Sequence, residues 1–155
     1  MRFSALVHLS RATLEMSEAE SLVVFGSASL LASFPDLGNE AGRPIEAAFV
    51  ADIIPFPFAE DLGQMLHEAF GDGRKFHQHF GYHANIIRPK IVETFPAGWE
   101  ERVVSLEGVE RVKCLDPHDM AAAKCRMARP KDAKQLEWLA KRGFIDLETV
   151  RIRLR

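Results

Sequence analysis

The tightest constraint on the fold is the run Leu22-Val23-Val24-Phe25, halted by Gly26-Ser27 and followed by Ala28 to Phe34 up to Pro35. The apolar run describes a short buried strand, the glycine and small hydroxyl a tight turn, and the residues after it a helix that Pro35 ends. Strand, turn and helix in that order predict a layered molecule in which helices lie against a sheet.

The flanking segments fit this frame. Phe3, Leu6, Val7, Leu14 and Met16 recur at mostly helical spacing and predict an opening helix over 1–16, while Ser17 with Glu20 is a capping signal near the next element. Asp36 to Pro44 reads as a loop, and Ile45 to Ile54 as a strand broken by Pro55-Phe56-Pro57. Leu62, Met65, Leu66 and Phe70 mark a helix over Ala59 to Phe70 that Gly71 and Gly73 close. Tyr82 to Ile87, Arg102 to Leu106 and Val109 to Leu115 read as strands, the last two forming a hairpin around Glu107-Gly108. From Asp116 the pattern turns helical. Asp116 caps a helix with Pro117 at its first position, Pro130 starts another that Gly143 stops, and Asp146 caps a last one. The predicted class is α+β (α/β layered), a mixed sheet flanked by helices. A single domain over 1–155 is expected, with an opening helix (1–16), a sheet-containing core (20–115) and a helical tail (116–155).

Charge and length exclude several roles. Lys and Arg total 20 against 22 Asp and Glu, a formal charge of -2, so nothing general attracts nucleic acid or anionic lipid, and an RNA partner would need a local patch. The longest charge-free stretch, Ser21 to Pro35, falls short of the ~20 apolar residues of a membrane span. The opening residues lack a secretory pattern, and Cys114 and Cys125 form neither a disulfide framework nor a CxxC pair, so a cytoplasmic location is expected.

Four constellations could carry chemistry. Gly26-Ser27 at a strand-to-helix turn suits a phosphate, although a glycine there also serves a tight turn alone. Asp52 lies on the second strand without a carboxylate two residues away, since Val50 and Ile54 hold those positions; Glu46 is near 20 Å off at ~3.3 Å per residue and joins only if the chain bends. His77, His79 and His83 fall close together in Phe76-His77-Gln78-His79-Phe80-Gly81-Tyr82-His83: the first two would share a strand face and chelate Zn²⁺, with His83 reaching in after a turn at Gly81. Lys124, Arg126, Arg129, Lys131 and Lys134 form a basic segment in which phosphate binding competes with a solvated helix face paired through Asp132. No GxSxG elbow or cysteine–histidine pair supports a protease or esterase.

These pieces together resemble the nucleotidyltransferase-fold proteins of the DNA polymerase beta superfamily, within it the small bacterial group of AbiEii-type toxins and minimal nucleotidyltransferases. The matching order runs from Gly26-Ser27 through Asp52-Ile53-Ile54-Pro55, Phe76-His77, Gly81-Tyr82 and Phe95-Pro96-Ala97-Gly98-Trp99-Glu100-Glu101-Arg102. It continues through Cys114-Leu115-Asp116-Pro117-His118-Asp119-Met120, Lys124, Arg129-Pro130-Lys131-Asp132 and Gly143-Phe144-Ile145-Asp146, spanning Val23 to Leu154. The resemblance implies a nucleoside triphosphate held by Gly-Ser, an Asp-x-Asp strand holding two Mg²⁺, and a third acidic residue on a neighbouring strand. Here Val50-Ala51-Asp52 stands on Asp-x-Asp and Asn85 is nearest the third carboxylate; a register starting at Glu46 loses the second ligand instead. Mg²⁺ takes oxygen ligands, which Val50 lacks. The leading expectation is a nucleotidyltransferase-like protein with a degenerate metal site, binding a nucleotide, RNA or a protein partner of toxin–antitoxin type. Gly26, Ser27, Lys124, Arg129 and Lys131 would contact nucleotide. The alternatives are an active enzyme using Asp52 and Glu46 as a rearranged metal pair, and a metal-binding protein using the histidines.

Overall fold

The computed structural model describes residues 1–39 and 49–155. Among these, the apolar run becomes strand β1 (Ser21–Phe25), the middle of a five-stranded sheet completed by β2 (Val50–Phe56), β3 (His83–Ile86), β4 (Val104–Ser105) and β5 (Val112–Cys114). The order is β3-β2-β1-β5-β4. β1 runs antiparallel to β2 and parallel to β5, β3 is parallel to β2, and β4 pairs antiparallel with β5. The sheet is therefore mixed. Leu22, Val23 and Val24 are all buried, so both faces of β1 are covered, which is why the strand reads as a continuous apolar run instead of an alternation.

Helices supply the cover. They are α1 (Phe3–Met16), the short α2 (Leu30–Ser33), α3 (Glu60–Phe70), α4 (Lys75–Phe80), the one-turn α5 (Trp99–Arg102), α6 (Pro117–Met127), α7 (Pro130–Lys141) and α8 (Leu147–Arg153). α1 buries Leu6, Leu9 and Leu14 against β1, α2 and α3. The tail begins as its caps dictate: Asp116 accepts from the backbone N–H of His118 and Asp119, Pro117 and Pro130 occupy first positions, and Asp146 accepts from Thr149 N–H at 3.2 Å. The mixed sheet flanked by helices is the expected α+β class. No described helix is long and apolar enough to cross a membrane.

Three local expectations are corrected. Pro55 lies inside β2, not beyond its end. Leu22, its partner across the ladder, donates to Arg111 O on the other side, so the pair exchanges no hydrogen bond and the imide nitrogen of Pro55 faces the side where β3 has ended, beyond its last pairing at Ile53–Ile86. His77 and His79 belong to helix α4, so residues two apart point to different sides. Arg102 ends α5 instead of opening a strand. Of the second strand, Ile45 to Ala48, and with them Glu46, lie outside the described residues.

Candidate functional site

The ladder brings the first two candidates together. Phe25 pairs with Asp52 and Asp52 with Asn85, so the end of β1 meets the middle of β2 and of β3. Gly26 follows with φ +67°, and a Cβ there would lie 2.5 Å from Asp52 Oδ2, so its conformation and the approach of the carboxylate both demand glycine. Asn85 Nδ2 donates to Asp52 Oδ1 at 3.2 Å. Burial pushes the Asp52 carboxyl above its ordinary value, against the Asn85 hydrogen bond and the charges of Lys124, Arg129 and Lys131.

Those cations form the opposite wall, at the junction of α6 and α7. Lys124 is buried with Nζ 3.1 Å from Asp132 Oδ1, and Arg129 donates from Nε to Asp132 Oδ2 at 2.7 Å. Burial pushes the Asp132 carboxyl up, but the hydrogen bonds from Arg129 and Lys124 outweigh it and leave it below the ordinary value. Lys131 is exposed and has no salt bridge among the described residues. Gln135 Nε2 donates to Ser27 Oγ at 2.9 Å, tying the turn after β1 to α7 across 108 positions.

Between the walls opens a cleft of about 740 Å³ that reaches Gly26, Ser27, Asp52, Asn85, Lys131 and Gln135. Its lining also includes the apolar Ile87, Ile91, Phe95, Met120 and Met127. Cations and a serine hydroxyl among apolar lining residues suit an anionic group attached to an apolar body.

Two Mg²⁺ ions do not fit this donor set. Val50 and Asp52 alternate onto one face, with His83 across from Val50 and Asn85 across from Asp52, so the described residues at that face offer one carboxylate, itself biased toward its protonated form. Among the site residues read from the sequence, Gly26, Ser27, Asp52, Lys124, Arg129 and Lys131 converge on the cleft. Glu46 lies outside the described residues. The histidines divide: His77 and His83 lie with ring centroids 4.3 Å apart and planes tilted by 39°, whereas His79 packs edge-on against Phe80. Asp72 joins the first two instead. Burial, then the neighbouring His77, holds His83 below its ordinary value.

The sequence pattern alone does not single out Gln135, and it offers Asp132 as an ion partner and within the Arg129-Pro130-Lys131-Asp132 match. Both sit on the stripe 132, 135, 136, 139 that α7 buries, where two polar residues on a core-facing row with Leu136 and Leu139 are a readable signal of a buried polar contact. No protein-family model, curated protein or solved structure matches the chain.

Proposed function

We propose that the chain binds a nucleotide in this cleft, as a nucleotidyltransferase-like protein with a degenerate two-metal site. The observation that carries the reading is the meeting of the Gly26-Ser27 turn, Asp52 and the Lys124–Arg129–Lys131 wall around one open cleft. The phosphates would lie against Ser27 and the cations, the base against the apolar lining residues. Lys131 offers its charge directly; Lys124 and Arg129 exchange part of their contact with Asp132 for phosphate. A protein or RNA partner of toxin–antitoxin type belongs to the same reading on the resemblance alone.

Calorimetric titration with ATP, GTP, CTP and UTP, with and without Mg²⁺, tests it. One nucleotide should bind per chain with little dependence on Mg²⁺. Lys131→Ala and Arg129→Ala should each weaken binding by about 10–100-fold, the equivalent of one charged hydrogen bond of ~1.5–3 kcal/mol. Asp52→Asn should bind Mg-free nucleotide at least as tightly, because it removes a negative charge facing the phosphates. Absence of heat with all four nucleotides overturns the proposal. Transfer of label from a nucleoside triphosphate to RNA or protein, lost in Asp52→Ala, would replace it with the active-enzyme reading.

A further inference from the structure

A second cluster of ligand-type side chains lies beside the cleft. Asp72 in the turn after α3, His77 on α4 and His83 at the start of β3 come from one twelve-residue stretch, and their ligand-capable atoms all lie within 4.8 Å of one another. In a tetrahedral zinc site, ligand atoms ~2.0–2.1 Å from the metal stand about 3.3 Å apart. Asp72 Oδ1 and His77 Nδ1 are already 3.2 Å apart, and the third ligand needs a movement on the order of an ångström.

Two details of the hydrogen bonding bear on how these side chains could hold a cation. His77 Nδ1 accepts from the Gly73 backbone N–H at 2.9 Å, so in a neutral ring this nitrogen carries a lone pair and cannot also donate to Asp72. Asp72 Oδ1 lies 3.2 Å from the same nitrogen with no hydrogen bond between them, and ligation of a metal through Nδ1 would use the lone pair that accepts from Gly73. The Nδ1 atom of His83 is buried with no hydrogen-bond partner, one of two such side-chain atoms among the described residues. An unsatisfied buried nitrogen costs about 1–3 kcal/mol, a penalty removed when the nitrogen finds a partner.

We propose that Asp72, His77 and His83 form a site for a divalent transition-metal ion of the Zn²⁺ class. Two imidazoles with one carboxylate favour zinc and its neighbours over Mg²⁺, which prefers oxygen ligands throughout. Three protein ligands leave a coordination position for water or an incoming anion. His83 also lines the nucleotide cleft, so the metal would sit at its edge and tie α4 to β3. The ligand set differs from three histidines of one segment: His79 is outside it, and the third ligand is the carboxylate of Asp72.

The test uses the full chain, treated with chelator and desalted, then titrated with Zn²⁺ by calorimetry and with Co²⁺ by visible absorption, without nucleotide. One equivalent should bind, with the d–d bands of a nitrogen–oxygen site. His77→Ala and Asp72→Asn should weaken binding by at least the about 10–100-fold that loss of an outer-shell partner costs, and His79→Ala should leave it unchanged. His83→Ala should act like His77→Ala; should it fail to fold, Asp72→Asn decides, because that side chain is 79% exposed and its neutral amide leaves the fold intact. Absence of stoichiometric metal, equal affinity in wild type, His77→Ala and Asp72→Asn, or loss of binding in His79→Ala overturns the proposal. The nucleotide reading stands or falls separately, since no nucleotide is present in this titration.

Discussion

Asp52 is held where its charge is poorly solvated, within reach of Gly26 and hydrogen-bonded by a neutral amide. Its carboxyl is raised above the ordinary 3.8, chiefly by burial, so the folded state holds the proton more tightly than the unfolded chain. The stabilisation this gives is complete below the unfolded value and is lost as pH rises through the folded one. Above the folded value the ionised side chain opposes folding. Asp52→Asn should therefore raise the Tm at pH 7, with a gain that shrinks as the pH is brought down toward 4, measured by thermal unfolding across that range. A variant less stable than wild type at pH 7 would show that the carboxylate is satisfied as an anion and contradict this reading. A residue that costs stability where the fold alone would prefer an amide is expected at a functional position.

Among the elements, the helical tail is joined by one buried carboxylate. Asp119 on α6 is fully buried and receives Arg102 of α5 through Nε at 2.8 Å and Nη2 at 2.9 Å, and Arg153 of α8 at 2.7 Å. Removing it leaves two guanidiniums facing an empty pocket. Asp119→Ala should cost about 3 kcal/mol, at the low end for a broken buried pair because both arginines keep some contact with water, read from the shift in denaturant midpoint. A shift under about 0.5 kcal/mol, the size of an ordinary surface change, would refute it. Elements whose ends are set by local chemistry were the legible ones. Asp116, Pro117, Pro130 and Asp146 start their helices where the sequence places them, because a cap needs only the next three residues. α4 was not legible, since Lys75–Phe80 is too short for a 3.6-residue period to separate from alternation, and its reading as a strand put His77 beside His79. Asp72 was missed for a related reason: it enters from a turn, and no periodicity points to a ligand that tertiary structure alone brings near.

Over the whole molecule, the cleft collects residues from both ends of the chain. The turn after β1 supplies Gly26 and Ser27, β2 and β3 supply Asp52 and Asn85, and α6, α7 and the junction between them supply the cations. The meeting of Gly26 with Asp52 and Asn85 follows from the register of the sheet, in which Phe25 pairs with Asp52 and Asp52 with Asn85, and a register between strands far apart in sequence has no local signal. The hydrogen bond between Ser27 and Gln135 has none either, as it depends on how the tail folds back. A nucleotide contacting all of these pieces should stabilise them as one unit. At a concentration 100 times its Kd the gain should be about 2.7 kcal/mol, with slowed amide exchange in β1 and in α7 alike. Protection confined to one of the two would contradict a site shared between them. The 108 positions separating Ser27 from Gln135 also have a meaning in time. On the ribosome, the nascent chain exposes the Gly26-Ser27 turn long before α7 has left the exit tunnel, so Ser27 waits for Gln135 until the last third of the chain has emerged. A ligand held by both, as proposed, would seal a protein whose tail has already folded home instead of templating the early sheet.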